Sequence, residues 1–176
     1  MALSAAPRLV TERLELRLPV AADLKPMAAI VAHGETARFL GPSFDFADHF
    51  MRFSRNAGSW MLYGYGGFIV RLRGDEQVIG TCGVFHSWRG LGDDYDDVPE
   101  AAWILRHDQT ARGIGYEAMR AVLDWFDGAH GPRRVVCMTA PDNAASVRLA
   151  EKLGFRPLRN AVMPEGDAVR LFERLP

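Results

Sequence analysis

A strand that runs through a glycine turn into a helix constrains this chain more than any other stretch: AAWILR (Ala101 to Arg106), followed by TARGIGYEAM (Thr110 to Met119). The first piece is an apolar run of strand length. After it, Ile114, Ala118, Ala121, Val122, Trp125 and Phe126 recur three and four residues apart, the spacing of a helix with one buried face. Gly113 and Gly115 remove side chains at the turn, so an anion can approach the backbone, and the first N–H groups of the helix point at it. The arrangement suits a pyrophosphate, although glycines in such a turn also serve the turn's own geometry. A dinucleotide fingerprint would need a third glycine where Ala118 stands, and a P-loop would need Gly-Lys-Ser/Thr next; both are absent.

The 176 residues fit one domain, 1–176, long enough to bury a core. Hydrophobic residues at 48% and charged residues at 24% exclude a disordered chain. The 21 Lys and Arg balance 22 Asp and Glu, which argues against nucleic acid as a partner, since phosphate-tracking surfaces carry clustered basic excess. Cys82 and Cys137 lie in apolar runs and are expected as buried thiols. MALSAAPRLVTERLELR lacks the apolar core of a signal peptide, and no run reaches membrane-span length, so the expected compartment is cytoplasmic, with no membrane partner. The five histidines show no metal-binding spacing, so no metal is expected.

Taken in order, Leu9 to Leu18 alternates as a half-buried first strand, and Ala21 to His33 reads as a helix with Pro26 early and Gly34 as its stop. An aromatic-rich stretch follows, with Phe39, Phe44, Phe46, Phe50, Phe53, Trp60, Tyr63 and Tyr65, and a helix is predicted over Asp45 to Ala57; its aromatics suit a core or the wall of a substrate pocket. Strands are predicted at Phe68 to Leu72 and Val78 to Phe85, joined by a hairpin link over Arg73 to Gln77. The irregular segment HSWRGLGDDYDDVPE carries an acidic run, Asp93 to Asp97, which reads either as a solvated loop or as a lure for a cationic substrate. After the helix of residues 113 to 128, Arg134 to Ala140 forms a strand. A helix capped by Asp142 or Asn143 ends at Gly154, and strands at Leu158 to Met163 and Ala168 to Arg174 close the chain. That order predicts a mixed sheet with helices on both faces.

Three motifs in this order resemble the GNAT superfamily of acyl-CoA N-acyltransferases over nearly the whole chain, and the branch of ribosomal-protein N-terminal acetyltransferases in particular. They are LVTERLELR at the start, Thr110-Ala111-Arg112-Gly113-Ile114-Gly115 with Tyr116 to Ala118 behind it, and NAASVRLAEKLGF (Asn143 to Phe155). The resemblance implies an α/β (α+β) fold, a mixed, mostly antiparallel sheet of about 6–7 strands splayed at the centre. It implies acetyl-CoA as cosubstrate, its diphosphate on the N–H groups of Arg112, Gly113, Ile114, Gly115 and Tyr116, and its pantetheine arm along the strand of Ala102 to Arg106, splayed from Arg134 to Ala140. Two positions depart from the family pattern: Thr110 stands where Gln or Arg is usual, and Ala150 where many members carry a tyrosine acid.

The reaction expected is acetyl transfer to a primary amine by direct attack in a ternary complex. A lysine-like amine, pKa ≈ 10.4, must lose its proton at a cost of roughly 4–5 kcal/mol at pH 7, whereas an α-amine near 7.7–8.0 costs only about 1. A site with a modest base therefore favours peptide or small-molecule α-amines. Glu100 is the candidate base, against a solvated strand-start carboxylate. Ser146 is the candidate acid for the departing thiolate and Asn143 its positioning partner, against helix capping by both. Ile104, Leu105 and Arg106 are expected along the cofactor, with an N–H of Ile104 or Leu105 for the oxyanion. A non-catalytic acyl-CoA-binding domain and an aminoglycoside-type resistance enzyme are the alternatives, and a homodimer stays open.

Overall fold

The structure, a computed structural model, describes residues 7–41 and 45–176; Phe44 of the aromatic-rich stretch and the first six residues lie outside the described residues. Strands β1 (Leu9–Val10), β2 (Leu14–Arg17), β3 (Gly67–Leu72), β4 (Val78–His86), β5 (Pro99–Leu105), β6 (Val135–Thr139), β7 (Arg156–Val162) and β8 (Ala168–Arg174) form one sheet in the order β1-β2-β3-β4-β5-β6-β8-β7. The helices are α1 (Leu24–Ala32), α2 (Gly34–Ala37), α3 (Phe46–Tyr63), α4 (Ile114–His130) and α5 (Ala144–Lys152).

Eight strands replace the expected six or seven because the first expected strand divides. The Thr11 amide donates to Leu14 O at 3.0 Å and the Thr11 hydroxyl accepts from the Leu14 amide at 3.0 Å, so the chain doubles back and β1 pairs with β2. The expected stop at Gly34 also moves. His33 breaks α1 by taking an extended conformation, and Gly34 opens α2. Helix α3 runs past Ala57 and Gly58 to Tyr63 because its end is held by the sheet: Ser59 Oγ donates to Tyr65 O at 2.8 Å and Trp60 Nε1 to Gly67 O at 2.9 Å. Gly64, at φ +75°, then ends it in the left-handed conformation that glycine adopts freely.

One face of the sheet, with Leu14, Leu16, Phe68, Val84, Cys137 and Phe172, packs on Ala118, Met119, Val122 and Phe126 of α4 and on Ala150 and Leu153 of α5. The opposite face takes Met27 and Ile30 of α1 and Phe53 of α3 against Ile69 and Val78. Its far end is covered by the irregular segment, where Leu91 and Tyr95 pack on Val136, Val169 and Leu171. Both cysteines are buried free thiols.

Every strand pair is antiparallel except β5 with β6, and that parallel pair is joined only at Glu100 and Val136. The sheet therefore opens beyond Glu100. Residues 101–105 remain paired with β4 on one side and leave their other edge to the gap.

Candidate active site

Three features meet at the opening in the sheet: the free edge of β5, the start of α4 and the capped start of α5. Strand alternation decides which β5 groups face the gap. The Arg106 amide donates to Ile79 O at 2.8 Å, so Arg106, and with it Ile104, turns backbone groups toward β4, and Trp103 and Leu105 turn theirs toward the opening. Of the two expected oxyanion donors, Leu105 faces the gap. Trp103 was missed by sequence reasoning, though its parity with Leu105 could have found it.

The turn between β5 and α4 is fixed by its own side chains. Arg106 donates to Asp108 through Nε at 2.6 Å and Nη2 at 2.9 Å, and this hydrogen-bonded guanidinium holds the Asp108 carboxyl down to about 2. The Thr110 hydroxyl donates to His107 O at 2.8 Å, and Arg112 Nη1 donates to Gln109 Oε1 at 3.1 Å. Gly113 sits at φ +78° as the N-cap of α4, a conformation that explains the glycine directly. Glu117 is the residue whose amide reaches Gly113 O, at 3.1 Å, so the N–H groups of Ile114, Gly115 and Tyr116 emerge at the helix end, where the helix dipole favours an anion. Gly115 serves packing as well: a Cβ there would lie 3.1 Å from Leu149 of α5.

Glu117 joins this turn to the start of the chain. It accepts from Thr11 Oγ1 at 2.5 Å, the Arg13 amide at 2.9 Å and Arg13 Nε at 2.6 Å, and Arg13 Nη1 also donates to Arg112 O at 2.9 Å. Partial burial pushes the Glu117 pKa up, but these donors outweigh it and hold the carboxyl below its usual range.

Across the gap, Asn143 Oδ1 accepts from the Ser146 amide at 3.1 Å, the helix cap that their residue types allow. The Ser146 hydroxyl also accepts from Trp103 Nε1 at 3.2 Å, so α5 and β5 are bridged at the opening and the hydroxyl proton is left to donate.

Glu100 is neither a solvated strand-start carboxylate nor open to the gap. It is 2% exposed, Arg89 Nε reaches its Oε2 at 2.9 Å and Arg89 Nη2 its Oε1 at 2.8 Å, and the Ser87 hydroxyl donates to Oε2 as well. The acidic run is largely spent inside the fold. Asp94 pairs with Arg159 through two bonds of 2.7 Å, Asp96 accepts from the amides of Arg89, Leu91 and Gly92, and Asp97 lies 2.9 Å from His86.

On the α1 and α3 side of β5 lies a pocket of about 330 Å³, within the range of small-molecule sites. Ala102, Trp103 and Ile104 line it, so it adjoins the strand that borders the gap. Leu24, Met27, Ala28, Val31 and Ile69 give it an apolar part; His49, Arg52, Arg55, Asn56 and Arg89 give it a polar one. Neither the α3 arginines nor Arg89 was singled out from the sequence. Among the described residues, no group of three His, Cys, Asp or Glu is placed to hold a metal, and no helix is long and apolar enough to cross a membrane.

Known proteins share this fold. Residues 13–156 match the family described as "Acetyltransferase (GNAT) domain". A solved protein from Bordetella pertussis, described as a GNAT-family acetyltransferase, is 31% identical with a TM-score of 0.85, over 96% of this chain and 99% of its own. The fold alone is shared with a ribosomal L7/L12 α-N-protein acetyltransferase in complex with coenzyme A (15% identity, TM-score 0.74, 95% of this chain and 96% of that one). It is shared too with an aminoglycoside acetyltransferase in complex with coenzyme A (19%, 0.75, 92% and 94%). The strand opening, the glycine-capped helix and the family match agree: this chain belongs to the GNAT family of acetyltransferases.

Proposed function

We infer that the protein transfers acetyl from acetyl-CoA to a primary amine, and that an α-amine is the preferred acceptor. The observation that carries this reading is the free β5 edge, which runs from a donor-lined helix N-terminus at Ile114, Gly115 and Tyr116 to the wall of a small-molecule pocket at Ala102 to Ile104. An acyl carrier with a diphosphate at one end and a thioester at the other fits that span, and solved members of the fold hold coenzyme A. In this reading Arg112, Gly113 and the α4 amides take the diphosphate, Leu105 and Trp103 offer gap-facing N–H groups to the developing oxyanion, and Ser146 gives its proton to the departing thiolate while recovering one from the ammonium of the tetrahedral intermediate.

Both Glu100 oxygens are bonded to Arg89 and Ser87, so Glu100 enters the reading as the residue that positions Arg89 at the pocket. An α-amine, which deprotonates at a cost of about 1 kcal/mol at pH 7, can release its proton to water. A lysine-like amine would need a stronger base.

Free-thiol release from acetyl-CoA, measured across α-amine peptides, polyamines and aminoglycosides, tests the reading. Turnover is expected with the peptides. If acetyl-CoA raises the melting temperature but no amine releases thiol, the chain is an acyl-CoA-binding domain; if acetyl-CoA does not bind, the reading fails entirely.

A further inference from the structure

At the polar end of the pocket, guanidinium groups gather from two separate parts of the chain. Arg52 and Arg55 are three residues apart on α3, close enough to share one helical face, and His49, Arg52, Phe53 and Asn56 follow the spacing of a single stripe along that wall. Arg89 arrives from the segment after β4. Like charges at this spacing weaken a helix and repel across a cleft, so the cluster costs stability unless something else uses it.

Among the described residues, the carboxylates nearby leave Arg55 without one of its own. Glu100 gives both oxygens to Arg89. Asp48 and Glu165 act on Arg52. Arg55 is influenced by Arg89 and, in opposition, by Glu100, whose oxygens are already taken. Desolvation first, and then the neighbouring Arg89, pull the Arg55 pKa below its ordinary value, although its side chain keeps contact with solvent. Asn56 on the same wall holds a buried Oδ1 without a hydrogen-bond partner, an acceptor that suits the substrate's amine rather than its carboxylate.

We propose that the acceptor carries a carboxylate as well as its amine, and that Arg55, supported by Arg52 and Arg89, binds that carboxylate while the apolar end of the pocket takes the acceptor's hydrocarbon part. The guanidinium fork matches a planar carboxylate in a way that an ammonium does not. The same field disfavours polycationic acceptors. This proposal rests on the acetyl-transfer reading and names its substrate class as amines tethered to a carboxylate, such as peptides with an acidic residue beside the N-terminus.

The test uses two dipeptides, amidated at the C-terminus, with the same apolar first residue and either glutamate or glutamine second. Thiol release from acetyl-CoA is expected to give the glutamate peptide a kcat/KM tenfold or more above its partner, on the order of one charge-assisted hydrogen bond. In Arg55→Gln the ratio is expected to fall to about twofold or less, on the same order-of-magnitude scale, while acetyl-CoA still raises the melting temperature. Equal rates for the two peptides in the wild-type protein, or an undiminished ratio in R55Q, overturn the proposal and leave acetyl transfer standing. If neither peptide releases thiol, calorimetry on the CoA-loaded protein decides. Tighter binding of the glutamate peptide, lost in R55Q, upholds the carboxylate site although transfer has failed; equal or absent binding refutes it.

Discussion

Replacing Glu100 with glutamine separates a positioning carboxylate from a catalytic base. The side chain is 2% exposed and its partner Arg89 is 17% exposed, so the pair is desolvated on both sides. Glutamine keeps the shape and one acceptor oxygen but removes the charge that balances Arg89, beside which Arg55 and Arg52 already stand. Breaking a buried pair in this way costs roughly 3–5 kcal/mol, and the retained oxygen places E100Q near the lower end, about 3. At roughly 2–4 °C per kcal/mol for a chain of this size, the melting temperature should fall by about 6–12 °C. Urea unfolding at pH 7 gives the free energy, and a cycle with Arg89→Met should show that the two losses are not additive. Turnover should fall while the acid limb of the pH–rate profile persists, because that limb would report the acceptor amine. A loss below about 1 kcal/mol, with disappearance of the acid limb, would refute the argument: it would mean that Arg89 does not hold the carboxylate and that Glu100 takes the proton.

Two further outcomes probe the phosphate end of the site. Gly113→Ala forces a side chain into φ +78°, at a cost of roughly 1–2 kcal/mol; the melting temperature should drop accordingly and the calorimetric affinity for acetyl-CoA should weaken through the displaced amides. Glu117 is a carboxylate whose folded pKa is depressed, so its contribution is complete above the unfolded value near 4.5 and is lost as pH falls through the lower folded value. Wild type should therefore exceed Glu117→Gln in urea stability by roughly 1–3 kcal/mol at pH 7, with the two curves converging as pH falls below the unfolded value and through the lower folded one.

The parts of the fold legible in the sequence were those set by period and by punctuation. Alternation or apolar runs marked β3 to β6 and β8 closely, and Gly113 and Gly154 both take positive φ at helix ends. Two of the three motifs turn out to be a single device. Thr11 and Arg13 of the opening LVTERLELR grip Glu117 of the α4 start, so residues about a hundred positions apart are halves of one hydrogen-bonded clamp beneath the glycine turn. A motif reading sees both halves but not the contact. What the pattern misplaced, it misplaced through tertiary contacts: α3 outruns its expected end because Ser59 and Trp60 are held by the sheet, and the first strand splits because the Thr11 hydroxyl competes for the backbone.

The site divides along the same line. Gly113, Asn143 and Ser146 are visible in sequence because each serves a local conformation that its residue type advertises. The pocket chemistry is not local. Arg52 and Arg55 lie in a stretch marked in sequence only by its aromatics, Arg89 in an irregular segment, and the four aspartates before β5, with Glu100 inside it, stand out as the dominant charge of the region. Folding reverses that balance. The structure spends Asp94 on Arg159, Asp96 on loop amides and Glu100 on Arg89, and brings Arg52, Arg55 and Arg89 into one cleft. A stretch with an acidic formal charge thus spends its carboxylates inside the fold, and Arg55 lines the pocket without a carboxylate of its own among the described residues. Under the proposal above, Arg55 beside β5 selects an acceptor that bears a carboxylate as well as its amine, rather than the polycationic amine the acidic run suggests.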